Sequence, residues 1–98
     1  EADAVAIDLV DLRLRLAEAE RHFLEALRIY PDYAQVHYNL GILMSRRRAW
    51  SGAVEHLLRS ADLSPANPRP REALSELLED PSVPEELRRR VEEHLADR

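Results

Sequence analysis

Apolar residues recur along this chain at helical spacing, most cleanly between residues 32 and 46. Val36, Leu40, Leu43 and Met44 follow one another at intervals that place them on a single face of a helix. Asp32 stands where a carboxylate accepts from the free amides of a first turn, and Gln35 three residues later completes a capping-box pattern. Gly41 falls inside this predicted helix, where glycine costs about 1 kcal/mol relative to alanine. The expected return for that cost is close approach of a neighbouring helix. The neighbour is the segment 51–62, with Val54, Leu57, Leu58 and Ala61 on its inner stripe and Pro65 beyond its end. Leu40, Gly41, Ala53 and Leu57 are therefore expected to form the tightest contact in the fold.

The same spacing predicts further helices on either side. Residues 17–29 carry Ala19, Phe23, Leu24, Ala26 and Leu27 and stop before Pro31. Downstream, Asn67 can cap a helix that has Pro68 at its first position, with Ala73, Leu74, Leu77 and Leu78 facing inward. Residues 80–84 are a break, after which Ser82 and Glu85 form a second capping-box pattern. In the last helix Leu87, Val91 and Leu95 point inward. Glu85–Arg89, Glu86–Arg90, Arg88–Glu92 and Arg89–Glu93 fall at i,i+4 on its outer, solvated face.

These elements repeat. Pro31 and Pro65 lie 34 residues apart, and Ala19, His22 and Leu24 recur as Ala53, His56 and Leu58. Phe23 and Ile29 return as Leu57 and Leu63. Such a period marks stacked helical hairpins, because one hairpin cannot bury its own apolar face. Frames of this length divide the chain into hairpins over about 2–30, 32–64 and 67–96, within a single domain spanning 1–98. The first frame is the least supported. Residues 2–30 contain no Gly, Pro or Asn, and Leu12-Arg-Leu-Arg-Leu16 alternates with the period of a strand. Either a turn forms near residues 13–16 without a breaker, or one long helix exposes apolar surface. The repeat frame favours the turn.

His37, Leu40, Gly41, Met44, Trp50, Ala53, Leu57, Ser60 and Pro65 stand in an order that resembles the tetratricopeptide repeat. The preceding frame matches at Ala19, Phe23, Ala26 and Pro31 but has Ala6-Ile7 where Leu-Gly is usual. The following frame keeps Leu74, Leu78, Leu87 and Val91, with His94 in place of a small residue. Arg48 departs from the pattern inside the best frame, where a turn glycine is common. It implies a shifted turn or a strained backbone. The resemblance implies an all-α, α-solenoid array of about three antiparallel hairpins that binds a peptide or partner helix in a concave groove. That groove face carries Ala4, Asp8 and Asp11, then Gln35, Tyr38, Asn39, Ile42 and Arg46, then Arg69, Glu72, Ala73 and Glu76. One subgroup of the family clamps the carboxylate of chaperone tails. Asn39 and Arg69 match two of its places, but Ala4, Asp8 and Ala73 supply neither amide nor positive charge, and Asp8 would repel a carboxylate.

Composition narrows the function. The net charge of −5 opposes a nucleic-acid binder, which needs a basic face. All 14 basic residues are arginine, a bias associated with GC-rich bacterial genomes. A bacterial cytoplasmic or periplasmic protein is expected. No apolar run approaches the ~20 residues of a membrane span. Cysteine is absent, which removes disulfides and thiolate metal sites. The chain begins at Glu1 rather than Met, as expected of a fragment or a processed form.

No cofactor and no metal site is expected. His22 and His56 recur in register, but stacked hairpins hold their helices roughly 8–10 Å apart, too far for shared ligation. No nucleophile–base signature or phosphate-binding glycine loop points to an enzyme. Arg46-Arg47-Arg48 beside Trp50 reads first as basic residues complementing a helix C-terminus, and second as an anion or partner contact. The expected function is a protein–protein interaction module or assembly scaffold. The alternatives are a non-catalytic segment of a larger bacterial enzyme or secretion component, and a subunit that self-associates through Ile7, Leu9, Leu12, Leu14 and Leu16. Those residues exceed what one stripe of a short helix can bury.

Overall fold

Pro31, Pro65 and the segment 81–84 fall between helices, while Pro70 sits in a helix's first turn, where proline is tolerated. The computed structural model describes residues 9–97. Among these, α1 (Leu9–Ile29), α2 (Ala34–Arg46), α3 (Trp50–Leu63), α4 (Arg69–Leu77) and α5 (Glu85–Ala96) make an all-helical fold without strands.

The turn expected near residues 13–16 does not form. α1 runs unbroken from Leu9, because no residue in it disfavours helix strongly enough to stop propagation. Its strand-like alternation is overridden at a cost visible in the exposure. On a helix Leu14 points away from Leu12 and Leu16, and it remains 64% exposed. α1 packs chiefly on α2, through Leu16, Ala19, Phe23, Ala26 and Leu27, yet not one of its residues is fully buried. At 21 residues it is about 30 Å long, against about 20 Å for the 13-residue α2. The end of α2 lies level with Glu20, which pairs with Arg47. The first turns of α1 therefore overhang the bundle. Leu9 and Leu12, which continue the packed stripe, stay 66% and 41% exposed there. The radius of gyration of 14.9 Å exceeds the ~13 Å of a compact domain this size, as the overhang requires.

α3 is the central helix and packs against α2, α4 and α5. Its Val54, Leu57 and Leu58 meet Ala73, Leu74 and Leu77 of α4, with Val83 and Val91 closing the far side. Each fully buried leucine here contributes roughly 1.5–3 kcal/mol. α2 and α3 meet where the sequence places their contact. A β-carbon on Gly41 would lie 2.6 Å from Leu57 Cγ and 3.3 Å from the Ala53 carbonyl oxygen, so only glycine lets the two backbones come this close.

Helix ends depart from the sequence expectation. Asp32 does not cap α2. Its carboxylate accepts instead from Arg59 at 2.6 Å, while Gln35 donates to Asn39 one turn along the helix. A charged partner outbids a backbone amide for the same oxygen. Asn67 Oδ1 accepts from the Arg69 amide at 3.1 Å, but the cap position falls one residue later than expected, on Pro68, and the proline in the first turn is Pro70. Ser82 does not cap α5. Its amide donates to Asp80 and its hydroxyl accepts from Arg48. The Ser82 bond holds the Asp80 carboxyl below its usual range. The break before α5 is held instead by Arg88, whose guanidinium donates to the carbonyls of Leu78, Asp80 and Val83. The expected i,i+4 ion pairs of α5 are absent among the described residues.

Candidate functional site: a groove between α2 and α4

With Val36, Leu40 and Gly41 turned toward α3, the residues a quarter-turn around α2 are left to form a second strip. Tyr38, Ile42 and Arg46 repeat every four residues along it, with Ser45 beside Arg46. They face Ala73, Glu76 and Leu77 of α4 across a shallow groove, closed at one end by Trp50 and Asp80. Toward α1 the groove opens into a second hollow walled by Phe23, Asn39, Leu43 and Arg69. The Arg69 guanidinium carbon stands 5.1 Å from the centre of the Tyr38 ring, a cation–π contact that joins α4 to α2 across the site. The groove thus has an apolar floor with separated charges at its rim: Arg69 and Arg46 against Glu76 and Asp80.

Of the residues singled out from the sequence, Tyr38, Asn39, Ile42, Arg46, Arg69 and Glu76 come together here. Gln35 is connected only through its hydrogen bond to Asn39, and Glu72 does not line the groove. Asp11 is on the overhang of α1, paired with Arg15 at 2.9 Å. Ala4, Ile7 and Asp8 lie outside the described residues. Phe23, Trp50 and Leu77 also line the site. Trp50 packs against the core while leaving one side to the groove. The stride Tyr38–Ile42–Arg46 was readable from the sequence. The membership of Phe23 was not, because it depends on how α1 crosses α2.

Arg48 adopts φ 62°, the left-handed conformation that its position in the turn demands. For a residue with a β-carbon this costs roughly 1–2 kcal/mol. It is held by its own amide donating to Ser45 and its guanidinium to Ser82. Beside it, Arg13, Arg46, Arg47 and Leu16 line a further hollow at the open end of α2. At the opposite end of α2, Ile29, Tyr30 and Tyr33 form an exposed aromatic corner around Pro31, with the two tyrosine rings edge to face.

The histidines pair differently from their sequence register. His22 stays exposed, and it is His37 that stacks on His56, with ring centres 5.3 Å apart. His37 Nε2 donates to the Pro31 carbonyl at 2.8 Å, so its neutral ring offers Nδ1 as acceptor to Nδ1–H of His56 at 3.0 Å. Burial, then the neighbouring His37, push the His56 ring below its ordinary pKa, with Glu55 opposing. Among the described residues no three His, Asp or Glu side chains converge on a metal position, and no helix is long and apolar enough to cross a membrane. Comparison with protein-family models, curated proteins and solved structures finds no match to this chain.

Proposed function

We propose that this chain is a tetratricopeptide-like interaction module that binds a peptide or partner helix in the groove between α2 and α4 and has no catalytic role. The observation that supports this most is the strip Tyr38–Ile42–Arg46, an apolar and aromatic surface facing Ala73 and Leu77 across an open channel. Aromatic and arginine side chains of this kind are those that carry binding energy at protein interfaces. The rim carries both signs of charge, so the occupant is an amphipathic segment with apolar anchors. Selection from a peptide library, followed by mapping of amide shifts on the labelled chain, tests the reading. Bound peptides should move Tyr38, Ile42, Arg46 and Arg69, and Ile42→Glu should abolish binding. A map centred on the outer face of α5 would sink it.

The second reading is self-association through α1. It is favoured by Leu9, Leu12 and Leu14, which present apolar surface on the overhang.

A further inference from the structure

Arg46 is the one side chain that lines all three hollows on this face: the groove proper, its extension toward α1, and the pocket at the open end of α2. That last pocket is walled by Arg13, Arg46, Arg47 and Arg48 with Leu16 beneath them. Among the described residues Arg47 is ion-paired with Glu20, while Arg48 donates to the Ser82 hydroxyl and lies within electrostatic reach of the Asp80 carboxylate. Among the described residues no carboxylate pairs with Arg13 or Arg46. A chain of net charge −5 therefore concentrates positive charge at one place, and does so against mutual repulsion of the guanidinium groups. An anion seated among them relieves that repulsion.

We infer that this pocket receives acidic side chains of a bound peptide, so that the groove's occupant carries a run of Asp or Glu beside its apolar anchors. This deepens the groove reading and rests on it. The hollow, about 440 Å³, is larger than one carboxylate and suits a short acidic run. Guanidinium forks match carboxylates with paired hydrogen bonds. Its continuity with an aromatic-floored groove through Arg46 favours a peptide over a nucleic acid. A phosphate backbone calls for a longer basic stripe, and here Glu20, Glu76 and Asp80 interrupt it.

The test is titration of the isotope-labelled chain with a short end-blocked oligoglutamate peptide, following the arginine Nε–Hε signals. Arg13, Arg46, Arg47 and Arg48 should respond together, more weakly as salt is raised, and oligoglutamine should leave them unmoved. Arg13→Gln with Arg46→Gln should weaken binding at least about tenfold. Arg89→Gln with Arg90→Gln removes equal charge from α5 and should leave binding intact. Equal weakening by both pairs would show a response to net charge alone and overturn the assignment. So would inorganic phosphate or oligothymidylate moving the same signals at lower concentration. Groove shifts by selected peptides without any arginine response to oligoglutamate would overturn this inference and leave the groove reading standing. Arginine responses without Tyr38 or Ile42 shifts from peptides combining acidic and apolar residues would overturn the groove reading, and with it the assignment of the acidic run to a groove-bound peptide.

Discussion

Two glycines on facing helices have opposite meanings. Gly41 lies against Leu57, which is fully buried and has nowhere to move. Gly41→Ala gains helix propensity but forces that contact apart, and overpacking wins. A net loss of about 1–3 kcal/mol is expected in denaturant unfolding. A β-carbon on Gly52 meets only the tip of the half-buried Met44, which can swing aside. Gly52→Ala should instead gain up to ~1 kcal/mol. Gly41 was legible in advance because it interrupts an otherwise strong helical pattern. The His37–His56 pair was not, since the repeat register drew attention to His22. That pair sets a pH dependence. The folded pKa of His56 lies below the unfolded value of about 6.5. The unfolded chain therefore binds more protons between the two values. The pair's stabilising contribution is complete above pH ~6.5 and falls as pH drops from there toward the folded pKa. The denaturation midpoint should be lower at pH 5 than at pH 7.5, with the difference reduced in His56→Gln.

At the scale of elements, apolar periodicity located α2, α3, α4 and α5, and Pro31 and Pro65 located two ends. Capping was less legible, because a capping residue serves whichever donor reaches it first. Asp32 went to Arg59 on α3, and Ser82 to the α4–α5 turn. Arg88 shows the converse. Its sequence spacing assigned it to an exposed ion pair with Glu92, yet it turns inward to satisfy carbonyls that the short break leaves open. Arg88→Ala should cost about 1.5–3 kcal/mol, several times the cost of Arg89→Ala on the outer face, measured by thermal or urea unfolding. The groove face was expected from the repeat resemblance, which mapped Tyr38, Ile42 and Arg46 onto one side of α2, rather than from the local pattern alone. The strained turn at Arg48 and the run Arg46-Arg47-Arg48 were visible locally, but the arginine pocket also needed Arg13 and Leu16 brought to it by the unbroken α1, which no local pattern specifies.

At the scale of the whole molecule, α1 is the outlier. Its overhanging Leu9 and Leu12 prolong the stripe that packs on α2 but remain exposed. A second copy offering the same stripe would cover both, in the self-complementary manner of a two-fold dimer. Sedimentation of the isolated chain at rising concentration should show association, and Leu9→Glu with Leu12→Glu should restore a monomer. A wild-type chain that stays monomeric throughout excludes this route.

Because α1 has no fully buried residue while α3 is anchored on three sides, the two need not open together. Helices held by few buried contacts unzip locally well below the free energy of global unfolding. Amide hydrogen exchange should therefore grade along α1, fastest near Leu9 and slower toward Ala26, while Val54, Leu57 and Leu58 exchange only when the whole fold opens. Anything that docks on the overhang would then announce itself as slowed exchange in α1 alone, with the rates in α3 unchanged.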